Sequence, residues 1–146
     1  MQSMPGFRVM GVEHLGAYEK IGDAFNRMHA IADEHGVTVK MIGVYFDNPN
    51  TTPESDLHSL AGVVVSASDS LKLAGVEGVI SLTIPAGNAA VSTFKTEGMV
   101  SMIIGAIKSY PALTEYVEAQ RVAERVNFVY EVYGEGTTDY VMQLAD

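Results

Sequence analysis

The amino-acid sequence predicts a single α+β domain made of two copies of a β-α-β-β unit. A chain of 146 residues with 47% hydrophobic content is long enough to bury one substantial core. Strand-like and helix-like patterns follow one another in the same order twice, which indicates an internal duplication. We expect repeat one over about residues 7–66 and repeat two over about residues 79–144. Between them, residues 67–78 are mostly small, polar and punctuated by glycine, which favours a linker.

Repeat one opens with a predicted strand over residues 7–14 and continues with a helix over residues 17–35. The helix has one apolar stripe at helical spacing, which we assign to the core: Tyr18, Ile21, Phe25, Met28 and Ala32. Gly36 is expected to end this helix as its C-cap. Two further strands are predicted over residues 41–46 and 59–66, separated by a polar loop that contains two prolines.

Repeat two adds a lead-in strand to the same order of elements. Its predicted strands cover residues 79–84, 89–95, 126–133 and 138–144. A helix is predicted over residues 99–110, where apolar residues recur at helical spacing. Pro111 is expected to interrupt it, because proline lacks the backbone N–H of a helix interior. Residues 112–125 are therefore expected to form a separate helix.

Glu131 is the one charged residue of a strand that otherwise favours burial. Valine, phenylalanine and tyrosine dominate residues 126–133, and side chains along a strand alternate between its two faces. One face is apolar and suited to packing under helices: Val126, Phe128, Tyr130 and Val132. The other face is mixed and suited to the floor of a site: Asn127, Val129, Glu131 and Tyr133. Either Glu131 is solvated or paired with a neighbouring lysine, or it serves a binding site, since an unpaired carboxylate away from water is costly.

Aligning the two repeats places Tyr45 and Tyr133 on the same kind of face. The alignment also puts Gly43 at the position that Glu131 holds in repeat two. A pseudo-two-fold axis would then put the tyrosines on either side of a groove, and the missing side chain at Gly43 is expected to open a space. An aromatic space with one polar group is typical of small-molecule sites. The candidate ligand-binding residues are Glu131, Tyr133, Tyr45 and Phe94.

Composition disfavours several classes of function. A net charge of −9 disfavours nucleic acid and anionic membranes as partners, because both require local positive charge. No apolar run approaches the roughly 20 residues that span a bilayer. The absence of cysteine favours a cytoplasmic location. The four histidines lack metal-binding spacing, and neither a phosphate loop nor a G-x-S-x-G elbow is present, so we expect no metal and no cofactor.

Several motifs resemble one known family. Residues 14–25 (HLGAYEKIGDAF) resemble the H-x-G-x-Y-x-x-I-x-x-A-F opening of GyrI-like small-molecule-binding domains, also called the AraC effector-binding domain type. Residues 43–49 (GVYFDNP) are similar to the family's G-I-Y-Y-D-D-P strand and turn. Residues 84–87 (IPAG) and 130–133 (YEVY) resemble its I-P-A-G and F-E-I-Y segments. The resemblance covers about residues 7–144, although Gly134-Glu135-Gly136 replaces the D-D-P turn in the second repeat.

The resemblance implies eight antiparallel strands with two main helices on one side and a ligand groove on the other. In the family a glutamate at the groove centre meets cationic or polar parts of apolar ligands, and this position matches Glu131. The C-terminal half of the multidrug regulator BmrR belongs to the family. Because 146 residues leave no room for a helix-turn-helix domain, we expect the stand-alone type.

The leading hypothesis is a stand-alone protein that binds apolar, cationic or aromatic small molecules, with Glu131 fixing their orientation. One alternative is a hydrolase of strained electrophiles, with Glu131 as general base and Tyr133 or Tyr45 as hydrogen-bond donor. Whether the protein is an enzyme is left open. A further alternative is a protein-interaction module acting on a partner such as DNA gyrase, for which residues 112–125 would be the contact. The sequence makes no prediction of oligomeric state.

Overall fold

The computed structural model describes residues 1–38, 40–96 and 99–145, and of residues 99–107 it describes the backbone. The chain divides into two compact units. We call Phe7–Ile84 the first unit, and Met1–Gly6 together with Pro85–Asp146 the second unit. Each unit holds four strands that pair antiparallel. The α+β class and the eight antiparallel strands expected from the sequence are confirmed.

The described elements comprise eight strands, three α-helices and three short 3₁₀ helices. The strands are β1 (Gln2–Met4), β2 (Phe7–Leu15), β3 (Met41–Tyr45), β4 (His58–Val65), β5 (Val79–Ile84), β6 (Gly87–Lys95), β7 (Val126–Tyr133) and β8 (Thr137–Leu144). The α-helices are α1 (Gly22–Glu34), α2 (Ala67–Leu73) and α3 (Met99–Ala119). The 3₁₀ helices are Tyr18–Lys20, Glu54–Asp56 and Ala123–Arg125.

The first unit is a sheet of strand order β3-β4-β2-β5 whose core lies against α1 and α2. In the register of β2 and β4, Met10 is opposite Val63 and Val12 is opposite Ala61, so that these side chains share one face with the helices. Met28 of α1 and Leu73 of α2 are fully buried in this core. The helices therefore cover one face of this sheet.

The second unit repeats the arrangement with strand order β7-β8-β6-β1 and one long helix, α3. Leu113 and Val117 of α3 pack on Ala90 of β6 and Tyr140 of β8. The two units share their internal order, since β6, β8 and β7 take the places of β2, β4 and β3. The fourth strand of each unit is β5 in the first unit, next to β2, and β1 in the second unit, next to β6.

The segment expected to be a linker is instead a part of the first unit. Residues 67–73 form α2, and Leu73 is fully buried. β5 pairs with β2, although the sequence assigned residues 79–84 to repeat two. The linker prediction was wrong because small polar residues here include a serine cap and a leucine anchor, which suffice for two helical turns.

Replacing Ser66 with alanine tests this helix. The Ser66 hydroxyl accepts a hydrogen bond from the backbone N–H of Asp69 at 3.2 Å and caps the N-terminus of α2. Loss of such a cap is expected to lower the free energy of unfolding by about 1 kcal/mol. Urea unfolding followed by circular dichroism measures this loss, and Ser66→Asp, which keeps a capping side-chain oxygen at the same position, serves as the matched control. Equal stability of Ser66→Ala and wild type would restore the linker interpretation.

Two other helix predictions also need correction. α3 runs through Pro111 as one helix of 21 residues, where the sequence predicted a break. Tyr110, Leu113 and Val117 pack on the same sheet, so that contacts on both sides of the proline favour a continuous helix. The helix predicted from residue 17 begins as a 3₁₀ turn at Tyr18–Lys20, and α1 starts only at Gly22.

Within the described part of the chain, no helix combines the length and the hydropathy that crossing a membrane requires.

Candidate functional site

Glu131 lies on the face of the second unit's sheet that α3 covers. In the antiparallel register Glu131 is opposite Tyr140, and Tyr140 is opposite Ser92, so the three side chains share one face. Tyr140 is fully buried against Leu113 of α3. The sequence placed the Glu131 face away from the helices, and for α3 that prediction was wrong.

Tyr110 of α3 connects the helix to this carboxylate. Its hydroxyl donates a hydrogen bond to the side chain of Glu131. The Tyr110 ring meets the Tyr140 ring edge to face, with 5.5 Å between centroids and 79° between planes. At the residue directly before Tyr110, the hydroxyl of Ser109 accepts a hydrogen bond of 3.0 Å from the hydroxyl of Ser92 in β6. The contact between α3 and the sheet is therefore polar at this point and apolar nearer the C-terminus of the helix.

Two further predicted site residues lie in the next row of the same face. Phe94 is opposite Thr138, and Thr138 is opposite Tyr133. Phe94 packs against the cluster formed by α3 and the sheet. Glu131, Tyr133 and Phe94 thus share one face of the second unit, and each of them is half-buried.

Burial and the charge of Glu131 keep the neighbouring phenols protonated. The pKa of Tyr110 is raised far above its ordinary value, first by burial and then by the charge of Glu131 and the hydrogen bond to it. Burial and then the same charge raise the pKa of Tyr140 to about 12. Neutral phenols donate hydrogen bonds. The tyrosines here can therefore stabilise the carboxylate without adding negative charge.

The raised pKa of Tyr140 predicts a loss of stability in alkali. The unfolded chain releases the tyrosine proton near pH 10, whereas the folded chain retains it until the pKa of about 12. The stabilisation is therefore complete below pH 10 and disappears as the pH rises from 10 to 12. Tyr140→Phe should reduce the decrease in unfolding free energy between pH 9 and pH 11 by about 1 kcal/mol. Urea unfolding at both pH values measures this, and parallel decreases in wild type and variant would contradict it.

Tyr45, the remaining predicted site residue, belongs to the first unit. It is half-buried and packs against the core beneath α1. Its ring meets the ring of Tyr18 edge to face, with 4.9 Å between centroids. Tyr18 was assigned to the buried core, but its hydroxyl instead binds the backbone of Asp47, donating to the carbonyl at 2.8 Å and accepting from the N–H at 2.9 Å.

The space expected above Gly43 is filled. A Cβ atom at Gly43 would lie 2.7 Å from the hydroxyl oxygen of Tyr45 and 3.2 Å from the ring of Phe25. The prediction of an opening at this position was wrong, because Tyr45 leans along its own strand over the glycine. Gly43 therefore serves to accommodate an aromatic side chain of the first unit.

Tyr110 and Tyr140 were not among the predicted site residues. Both could have been found by periodicity. Tyr110 lies three residues before Leu113 and seven before Val117, on one helix stripe. Tyr140 shares one face of β8 with Thr138 and Met142, each two residues away, and this is the face of Glu131 in the neighbouring strand.

Comparisons with known proteins place this geometry in a family. The mouse testis-expressed protein 264 homolog is 23% identical over 139 residues, which are 90% of this chain and 43% of that protein. The chain thus spans less than half the length of this curated relative. Among solved structures, EcmrR in a complex with DNA has a TM-score of 0.68 at 14% identity, covering 99% of this chain and 56% of EcmrR. SAV2435 bound to tetraphenylphosphonium has a TM-score of 0.64 at 9% identity, covering 99% and 92% of the two chains.

At these identities the two structures show a shared fold. The family model of the GyrI-like small-molecule-binding domain matches residues 1–141, almost the whole chain. The resemblance inferred from the sequence motifs is therefore confirmed. The chain belongs to the GyrI-like small-molecule-binding domain family.

Proposed function

We propose that this protein binds apolar organic cations at Glu131, on the α3-covered face of the second unit. The observation that carries the proposal is the contact of one carboxylate with Tyr110 and its closeness to Tyr133 and Tyr140. Small-molecule binding is the general property of the family. The cationic class is our inference from the charge and the aromatic rings around it.

The energetics of the site favour such a ligand. An ionised carboxylate in a half-buried place loses hydration, and the hydrogen bond from the hydroxyl of Tyr110 replaces part of that hydration. A cation would supply an opposite charge. Each tyrosine ring face adds about 0.5–2 kcal/mol of cation–π attraction, the larger values applying where water is excluded. Phe94 and Tyr133 would contribute apolar contact area.

The structural neighbour SAV2435 was solved with tetraphenylphosphonium, an aromatic cation without hydrogen-bond donors. That ligand supports the choice of chemical class and of the probe. The net charge of −9 would also raise the local concentration of cations. No described contact specifically favours the hydrolase or the gyrase-partner hypothesis, and both stay predictions, as does the cytoplasmic location.

The proposal is tested by titrating the protein with rhodamine 6G and following fluorescence anisotropy. We expect saturable 1:1 binding that tetraphenylphosphonium displaces. Nile red, an uncharged dye, serves as the control for purely apolar affinity. The cation site would be refuted if neither rhodamine 6G nor tetraphenylphosphonium binds at millimolar protein concentration. It would also be refuted if Nile red displaces rhodamine 6G and tetraphenylphosphonium does not.

A further inference from the structure

The hydroxyl of Ser59 is a buried polar group of the first unit that the proposed cation site does not use. Ser59 lies in β4 and is 1% exposed. Among the residues that the structure describes, its Oγ atom has no hydrogen-bond partner. Since an unpartnered buried hydroxyl is costly, such groups are rare and need a reason.

The second unit has an equivalent hydroxyl that is satisfied. Ser59 is opposite Tyr45 in the first unit, and Thr138 is opposite Tyr133 in the second. The hydroxyl of Thr138 forms a buried hydrogen bond of 3.1 Å with the hydroxyl of Thr96. The same place in the fold thus holds a hydroxyl in both units, with a partner in one.

The missing partner corresponds to a glycine. The backbone N–H of Gly16 donates to the carbonyl of Leu57 at 2.8 Å, as that of Thr96 donates to Gly136 at 2.9 Å in the second unit. Gly16 therefore takes the place of Thr96 but has no side chain. Its φ is +112°, and a Cβ atom there would meet nothing within 4 Å. The first unit has open space where the second has a threonine.

Aromatic rings flank the Ser59 hydroxyl on the neighbouring strands. His14 of β2 and Tyr45 of β3 are its two cross-strand partners, so the three side chains share one face. The Nε2 atom of His14 lies 2.9 Å from the carbonyl oxygen of Ala17, which fixes the ring. Tyr45 leans along β3 toward Gly43. We call His14, Ser59 and Tyr45 the Ser59 row.

We propose that the Ser59 row is a subsite for an uncharged, oxygen-bearing aromatic group of a small molecule. Ser59 donates its hydrogen bond to the carbonyl or ether oxygen, and the rings of His14 and Tyr45 contact the flat apolar part. The group lies beside Gly16, at the position that the Thr96 side chain takes in the second unit. This subsite differs from the cation site in its residues, its unit and the charge of its ligand, so either proposal can fail alone.

The test compares two compounds of nearly equal shape, acetophenone and α-methylstyrene, which differ in a carbonyl oxygen against a methylene group. Each is titrated into the ¹⁵N-labelled full chain while amide shifts are recorded. We expect acetophenone to shift the amides of the Ser59 row and to bind about fivefold more tightly than α-methylstyrene, the value of one hydrogen bond. Absence of shifts in these amides with either compound, or equal affinities for both, would overturn the proposal.

Ser59→Ala then identifies the donor. The variant should bind both compounds equally and should keep or raise the melting temperature, because the hydroxyl that it lacks has no partner among the described residues. Ser70→Ala is the matched control, since Ser70 is also buried in the first unit but donates to the carbonyl of Ala67 at 2.7 Å. The control should keep the preference for acetophenone. A preference that persists in Ser59→Ala would assign the oxygen contact to another group and refute the subsite, as would an equal effect of both variants.

Discussion

Replacing Glu131 with glutamine should weaken the binding of tetraphenylphosphonium by roughly 10- to 100-fold. A cation about 5 Å from a carboxylate gains roughly 3 kcal/mol at an effective dielectric constant of 20, and screening reduces this value. Glutamine has nearly the same shape and can still accept a hydrogen bond from Tyr110. The loss should therefore be confined to charged ligands, with affinity for Nile red changing less than twofold, well under 1 kcal/mol.

Asp139→Asn is the matched control for this substitution. Asp139 lies on the adjacent strand, opposite Val132, and accepts a hydrogen bond of 2.6 Å from the hydroxyl of Thr93. It faces the other side of the sheet from Glu131, while its removal changes the net charge by the same amount. Affinity for the cation should stay within about twofold of wild type. Equal losses in both variants would mean that net charge alone attracts the ligand.

Replacing Gly11 with alanine should have the largest effect on stability among the substitutions considered. A Cβ atom at Gly11 would lie 2.5 Å from the carbonyl oxygen of Ala61 and 2.8 Å from the Cα of Gly62, its cross-strand partner. Both contacts are with backbone, so relief requires β2 and β4 to separate. Overpacking of this kind should cost about 3 kcal/mol in unfolding free energy, measured by urea denaturation.

Gly22→Ala provides the comparison for Gly11→Ala. Gly22 begins α1, and a Cβ atom there meets nothing within 4 Å. Alanine favours the helix over glycine by up to about 1 kcal/mol, so this variant should be neutral or stabilised. If both variants unfold at the same urea concentration, the close approach of β2 and β4 at Gly11 is not as tight as described.

The sequence predicted the strands better than the helices. Alternation and β-branched residues mark β4 and β7 clearly, and the duplication placed Tyr45 and Tyr133 at equivalent positions. The helix break predicted at Pro111 was wrong, because local helix propensity does not include the packing of Leu113 and Val117 on the sheet. That packing offsets the hydrogen bond that proline cannot form.

Alternation separates two faces of a strand but does not say which face a helix covers. In β7 the face of Tyr130 is the more apolar one, and the sequence therefore predicts that this face packs under the helices. Tyr130 is indeed fully buried, but its hydroxyl donates to Gln143 on the face opposite Glu131. Buried tyrosines lie on both faces of the sheet here, Tyr130 on one face and Tyr140, the cross-strand partner of Glu131, on the other. The packing of α3 decides which of the two faces is covered, and α3 covers the face of Glu131.

The central claim is that the Glu131 carboxylate and its neighbouring tyrosines bind an organic cation. A crystal structure with tetraphenylarsonium tests it most directly, because the anomalous signal of arsenic locates the positive centre. We predict one arsenic peak beside the Glu131 carboxylate and within about 6 Å of the ring of Tyr133 or Tyr140. An arsenic peak on the Tyr130 face, or the same peak at full occupancy in Glu131→Gln, would contradict the account.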